Sequence, residues 1–156
     1  MKKITFTFLF LVATTIMYSQ TKIGIQAIYG TDTDFGIGAK ATIEISEKFL
    51  ASPSINYFFG ESVQGASTSV LGINADAHYI ISKNNGLSLY PLAGINLTRS
   101  SATVLGNSIS TTEIGFNLGG GLNYELSSSL TGIFETKYVL STFDQATFSV
   151  GVLYHL

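Results

Sequence analysis

The chain has 156 residues, the size of one ordinary domain, and only 12% of them are charged against 46% hydrophobic. Low charge with apolar content this high excludes a disordered chain, and eight Lys and Arg against ten Asp and Glu, a net charge of −2 with no basic block, argue against an electrostatic nucleic-acid binder. With no cysteine in the sequence, disulfide scaffolds, thiolate metal sites, cysteine nucleophiles and a lipid-anchored N-terminal Cys are excluded as well.

Residues 1–19 open with Lys2 and Lys3, run through a largely apolar stretch from Ile4 to Met17, and end on Ser19. That order predicts a cleavable secretory signal peptide over 1–19 and one exported domain over 20–156. The stretch is too short for a membrane-spanning helix and is interrupted by Thr5, Thr7, Thr14 and Thr15. No later stretch of 18 apolar residues exists, so the exported part has no helical anchor.

From Ile23 onward the hydrophobic period is two. Phe35 to Ile45 puts Phe35, Ile37, Ala39, Ala41, Ile43 and Ile45 on one face, with Gly36, Gly38, Lys40, Thr42 and Glu44 on the other. Strands alternate in this way and helices do not. The same pattern predicts eight strands: Ile23–Tyr29, Phe35–Ile45, Ala51–Phe59, Val70–Ile81, Leu87–Thr98, Thr112–Leu126, Leu130–Leu140 and Gln145–Leu156. Most exceed the usual soluble strand and suit a tilted membrane strand. Tight turns are expected at 46–48, 82–86 and 127–129, and loops at 30–34, 60–67, 99–111 and 141–144. Short turns at one end and longer loops at the other match an outer-membrane barrel. Pro53 and Pro91 lack an N–H for the ladder, so a bulge or strand end is expected near each.

Which face is inside follows from glycine and tyrosine. Nine of the 16 glycines fall on the polar face, where a narrow eight-stranded lumen has little room for side chains. Tyr29, Tyr57, Tyr79, Tyr124, Tyr138 and Tyr154 share the apolar face near segment ends, with Phe35, Phe49, Phe59 and Phe148. An apolar band edged by amphipathic rings is what a bilayer interface selects. The fold class is therefore all-β: an eight-stranded antiparallel up-and-down transmembrane β-barrel with a polar, side-chain-filled lumen.

The ending Phe148-Ser-Val-Gly-Val-Leu-Tyr154-His-Leu156 resembles the terminal insertion signal of outer-membrane barrels, with Leu156 in place of the usual terminal Phe. Asn74-Ala-Asp-Ala-His-Tyr-Ile-Ile81, Leu89-Tyr-Pro-Leu-Ala-Gly-Ile95 and Phe116-Asn-Leu-Gly-Gly-Gly-Leu-Asn-Tyr124 look like small outer-membrane β-barrel proteins common in Bacteroidetes, similar in architecture to OmpX and the OmpA membrane domain. The resemblance implies an outer-membrane location, contact with outer-membrane lipid, and delivery to the barrel-assembly machinery through Phe148, Val150, Val152, Tyr154 and Leu156. It implies a fold, not a reaction.

The lumen face carries Lys40, Glu44, Asp76, His78, Glu125, Glu135 and Lys137, together with Glu113 and His155. Asp76, Glu135, Lys40 and Lys137 lie five to seven residues above the turn end of their segments and form one expected mid-barrel layer of ion pairs, supported by Asn56, Asn74, Asn117 and Asn123. The bland reading is a structural plug; the functional alternative is a narrow porin-like path for water or small ions. No nucleophile elbow appears, and His78 beside Asp76 has no third metal ligand. Catalytic residues, metal and cofactors are expected to be none. A structural or surface-interaction role for a monomer is the leading expectation, with an extracellular ligand at 60–67 and 99–111. A soluble exported ligand-binding β-barrel is the class-level rival.

Overall fold

A computed structural model describes residues 21–63, 66–104, 107–142 and 144–156. The expected signal peptide at 1–19 lies outside the described residues, as does Gln64. The strands are β1 (Thr21–Gly30), β2 (Asp34–Glu44), β3 (Phe49–Val63), β4 (Ala66–Tyr79), β5 (Ser82–Asn84), β6 (Leu87–Val104), β7 (Asn107–Glu125), β8 (Leu130–Leu140) and β9 (Gln145–His155). Apart from β4 and β5, which do not pair with each other, each pairs antiparallel with its sequence neighbours; β1 pairs with β9 and β4 pairs with β6, which closes the sheet into a barrel. β5 continues the line of β4 along the edge of β6 after a break at Ile80 and Ile81. The nine segments therefore make eight staves.

The stagger can be read from the pairing. Starting at Ala27, the cross-strand row runs through Ile37, Tyr57, Leu71 and Arg99 to Thr112 on β7. In the other direction it runs through Val150 and Phe134 to Leu122 on the same strand. The two arrivals are ten residues apart, so the strands tilt and each step from β1 toward β7 climbs the wall. Strand alternation then assigns the faces. Ile23, Ile25, Ile37, Ile55, Ile73, Ile95 and Phe116 are exposed on the outer wall, while Lys40, Asn56, Asn74, Asp76, Asn117 and Glu135 are buried inside. This is the inverse of a soluble barrel: the apolar side chains face outward and the polar ones fill the lumen.

Two sequence expectations change in the structure. The tight turn at 82–86 is tighter still, because Ser82, Lys83 and Asn84 pair with Leu89, Ser88 and Leu87. Only Asn85 and Gly86 turn the chain, with φ of 49° and 79°, the pair of left-handed residues that a type I′ hairpin requires. The segments expected as loops at 60–67 and 99–111 are largely strand. β6 and β7 stay in register from Leu87↔Tyr124 to Val104↔Asn107, and β4 pairs with β6 up to Ala66↔Val104. Once two strands share a regular register, the Ser/Thr-rich stretch can continue the ladder, since β-branched Thr and small Ser suit a pleated surface.

The prolines also differ from each other. Near Pro91 the β4–β5 break occurs opposite Tyr90 and Pro91, and the register slips by one residue between His78↔Leu92 and Ser82↔Leu89. At Pro53 there is neither bulge nor strand end. The β2–β3 register is the same on both sides, from Lys40↔Ser54 to Ile43↔Ala51, with the ladder skipped only between them. The Ala41 carbonyl lies opposite the missing N–H, and the Ser52 hydroxyl donates to it at 3.1 Å. A neighbouring side chain thus replaces the lost backbone donor.

Candidate functional site

The interior is organised in layers along the barrel axis. At its middle, Lys40 Nζ of β2 donates to Glu135 Oε2 of β8 at 2.6 Å, and Lys137 Nζ of β8 donates to Asp76 Oδ2 of β4 at 2.8 Å. All four residues are buried, so each charge is neutralised by a partner reached across the lumen rather than by a neighbour on its own strand. Asn117 Nδ2 donates to Asp76 Oδ1 at 2.7 Å and to Asn74 Oδ1 at 2.9 Å, and Asn96 Nδ2 donates to the same Asn74 oxygen. Gln26 Nε2 donates to Asn56 Oδ1 at 2.8 Å. Asn117 thus satisfies the Asp76 oxygen that Lys137 leaves over, and the other amides bond one another around it.

His78 and Tyr90 complete the layer. Their rings stack with centroids 4.4 Å apart and planes 6° from parallel. His78 Nε2 lies 3.6 Å from Glu135 Oε1, and the Tyr90 hydroxyl lies within reach of both that oxygen, at 2.9 Å, and Asn123 Oδ1, at 3.0 Å. Tyr90 is the residue that sequence reasoning passed over. Its parity set it apart from the six outward tyrosines, and a lumen-facing tyrosine among carboxylates needs a hydrogen-bond partner.

Apolar residues lie on both sides of this layer. Toward the end opposite the tight turns, Phe58, Ile28 and Val139 are buried, and the Phe58 ring rests beside Gly30, Gly36 and Gly72. A void lined by Ile28, Asn56, Phe58, Asn96, Lys137 and Val139 measures about 10 Å³, no more than the room one water needs. Toward the turn end, Leu50, Leu92, Ile133 and Leu153 are buried.

Of the seven lumen residues expected from sequence, Lys40, Asp76, His78, Glu135 and Lys137 come together in the middle layer. Glu44 and Glu125 do not. They sit at the turn-end mouth, where a vestibule of about 470 Å³ is lined by both of them with Lys22, Lys48, Lys83 and Thr131. Parity alone could not separate mouth from middle; distance from the strand end does. His155 also lies at this mouth, with Nε2 2.7 Å from the Thr131 hydroxyl. Among the described residues no group of three His, Cys, Asp or Glu is placed to hold a metal ion.

Outside, the six girdle tyrosines are all exposed on the outer wall. Tyr79, Tyr124 and Tyr154 stand at the turn end; Tyr29, Tyr57 and Tyr138 stand toward the other. Ring pairs reinforce both belts: Tyr29 with Phe35 at 5.1 Å, Tyr57 with Phe59 at 5.6 Å, and Phe49 with Tyr79 at 5.0 Å. On β9, Phe148, Val150, Val152 and Tyr154 form one outward row, and exposed Leu156 follows it.

An apolar outer wall with belts of rings around a polar, cross-braced lumen is the construction of a barrel that sits in lipid. The outer membrane protein β-barrel domain family model matches residues 11–155. The chain belongs to that family, and the outer membrane is its location. Solved structures agree on the fold. Neisserial surface protein A superposes with a TM-score of 0.71 at 15% identity, covering 88% of this chain and 97% of that one. Ail, the attachment invasion locus protein of Yersinia pestis, gives 0.64 at 18% identity over 88% and 97%. The N-terminal β-barrel domain of Pseudomonas aeruginosa OprF gives 0.70 at 15% identity over 88% and 99%. No curated protein matches the chain by sequence.

The family fixes sidedness: short turns face the periplasm and the opposite end faces outward. At that outer end the strands are unequal. β3, β4, β6 and β7 have 15, 14, 18 and 19 residues, whereas β1, β2, β8 and β9 have 10 or 11. The surplus of seven or eight residues in β6 and β7 over β8 extends the wall by about 25 Å along the strands. β2 stops pairing with β3 at Phe58, and β8 stops pairing with β7 at Phe116. The four long strands therefore project as a sheet with two open edges.

Proposed function

We propose that this chain is a non-catalytic outer-membrane barrel that works by surface contact through its projecting four-stranded sheet. The observation that carries this reading is the open edge of β7. Residues Asn107–Ile114 pair with β6 on one side only, so half of their backbone donors and acceptors point outward as a template for another strand. Exposed Ile109 adds an apolar contact beside that edge.

The charges near this end suit a different partner from that of Ail, which is known in complex with the heparin analogue sucrose octasulfate. A polysulfate needs a cluster of cations. Here Asp32, Asp34, Glu113 and Asp144 lie at the outer end against the single Arg99. A protein or peptide strand therefore fits this surface better than a sulfated glycan.

The same reading takes the closed lumen as a plug, not a path: the ion pairs lie between apolar layers and neutralise one another. It also takes 1–19 as the export signal, the β9 row ending at Leu156 as the contact for the assembly machinery, and the barrel as a monomer in lipid.

The test replaces residues 100–111 with an Asn-Gly turn, shortening β6 and β7 in register. Cells carrying the intact and the shortened barrel are compared for adhesion to immobilised extracellular-matrix protein and to cells bearing the same barrel. The reading expects adhesion to be lost while heat-modifiable gel mobility persists. Equal adhesion by both forms overturns it.

A further inference from the structure

The open edge of β7 has a direction that its backbone fixes. The Glu125 N–H donates to the Gly86 carbonyl, on the β6 side, and the Leu126 N–H donates to the Leu130 carbonyl, on the β8 side. From there β7 keeps one uninterrupted register with β6 up to Asn107. Odd-numbered residues of β7 therefore turn their backbone groups toward β6, and even-numbered ones turn theirs away. Above the last β8 pair, Phe116↔Leu140, the N–H and C=O of Ser108, Ser110 and Thr112 face the open edge. A strand added there continues the line that β8 leaves at Leu140. It runs antiparallel to β7, as β6 and β8 do, which gives the more stable ladder.

Side chains follow the same alternation. Ile109, Thr111 and Glu113 stand on the face that continues the buried lumen positions Asn117 and Asn123. Ser108, Ser110 and Thr112 stand on the face that continues the exposed wall of Phe116 and Leu118. On this second face Arg99 lies opposite Thr112, yet its guanidinium donates to the Ser110 hydroxyl at 3.2 Å. The side chain thus leans diagonally across β7, which leaves its charge about one strand spacing, ~4.8 Å, from an added strand. The two faces carry opposite charges at different heights: Glu113 near the membrane foot, the Arg99 cation level with Ser110. Asp144 accepts the Ser141 N–H at 2.8 Å just beyond the end of β8 and adds a second negative charge at the foot.

We propose that this edge, in the surface-contact role on which the inference rests, selects an extended peptide strand with a fixed order of charges. A basic residue lies opposite Glu113, an acidic residue three positions later lies opposite Ser110, and a branched apolar residue directly after it lies opposite Ile109. The partner enters at the membrane foot with its basic residue and runs toward the tip. Residues directly opposite each other share a face, so the base meets Glu113 on the lumen-side face and the acid meets the Arg99 guanidinium on the other. Backbone pairing holds any extended strand, and the side chains decide which one. A strand with the two charges exchanged sets like charges against each other on both faces.

The full chain is refolded into phosphatidylcholine nanodiscs and titrated with the peptide Ser-Lys-Thr-Val-Glu-Val-Thr-Ser, its charge-exchanged form Ser-Glu-Thr-Val-Lys-Val-Thr-Ser, and the neutral Ser-Gln-Thr-Val-Gln-Val-Thr-Ser. Binding is followed by the NMR shifts and hydrogen exchange of the β7 amides. The first peptide should bind about tenfold more tightly than the second, with the neutral one between them. Bound peptide should slow exchange at Ser108, Ser110 and Thr112 and leave Ile109, Thr111 and Glu113, which already face β6, unchanged. The double variant Arg99→Glu, Glu113→Lys should prefer the second peptide. Equal affinities for all three peptides with slowed exchange at the even-numbered residues, or an unchanged preference in the double variant, overturn the charge order and leave the edge as the contact surface. No binding of any peptide, or binding that persists when residues 100–111 are replaced by the Asn-Gly turn, overturns the edge and the charge order together. Retained heat-modifiable mobility shows that each variant is folded.

Discussion

Lys40→Met removes one charge from the middle of the barrel while keeping most of the aliphatic stem. Glu135 would then lose the 2.6 Å contact and keep the Tyr90 hydroxyl and the more distant His78 ring. Both partners are almost fully buried, at 3% and 1% exposure, so solvent cannot take over. Breaking such a pair from one side costs about 3–5 kcal/mol, because the remaining carboxylate stays buried without its counter-charge. Glu135→Gln should cost a similar amount by stranding Lys40. The double variant Lys40→Met, Glu135→Gln removes both charges and should recover most of the loss, since a pair replaced by groups of similar volume is often neutral. The measurement is urea unfolding of the refolded barrel in vesicles, followed by far-ultraviolet circular dichroism and gel mobility, because the chain contains no tryptophan to report on. A favourable coupling of about 3 kcal/mol between the two sites is expected. Single variants that each cost under about 1 kcal/mol, with additive effects in the double, would refute the idea that this pair holds the interior together.

Two further predictions concern the backbone. Ser52→Ala should destabilise the barrel by about 1–3 kcal/mol by leaving the Ala41 carbonyl without its donor, whereas adding Pro53→Ala should restore stability by returning the N–H; equilibrium unfolding of the single and double variants decides it, and an unaffected Ser52→Ala barrel counts against the substitute-donor account. Among the lumen glycines, a Cβ at Gly72 would come no nearer than 3.8 Å to any atom beyond its chain neighbours, while one at Gly119 would overlap the Thr136 carbonyl oxygen. Refolding yield should therefore survive Gly72→Ala and collapse in Gly119→Ala, and equal yields would show that the wall adjusts freely.

Much of the barrel was legible in the sequence because strand alternation and membrane burial impose the same period of two. Lys40, Asp76, Glu135 and Lys137 could be placed in one layer because each is counted from a recognisable turn, and a narrow lumen leaves few ways to neutralise four charges. Which lysine meets which carboxylate was not legible, since that depends on the stagger. Glu44 and Glu125 share the parity of the others but lie too near strand ends to reach the middle. Tyr90 was hidden by the strength of the outward tyrosine pattern. The projecting sheet was hidden for another reason: Ser and Thr are common both in loops and in solvated strands, and only the pairing of β6 with two partners distinguishes them. Pro53 read as a break because the sequence does not reveal that Ser52 can supply the missing donor.

The interior and the projection belong to one mechanical argument. β3, β4, β6 and β7 form a contiguous tall half of the wall, and β8, β9, β1 and β2 form the short half. The two seams between the halves are the β2–β3 and β7–β8 pairings, and each stops where the projection begins, at Phe58 and Phe116. A partner pulling on the projecting sheet would load those seams first. The interior contacts cross them: Lys137 of β8 holds Asp76 of β4, Tyr90 of β6 reaches Glu135 of β8, and Gln26 of β1 holds Asn56 of β3. A water-filled lumen could not transmit such a load, because its side chains would be solvated singly. A neutral, cross-braced lumen can, so under the proposed surface-contact role the buried charges would serve by bracing the wall against that load.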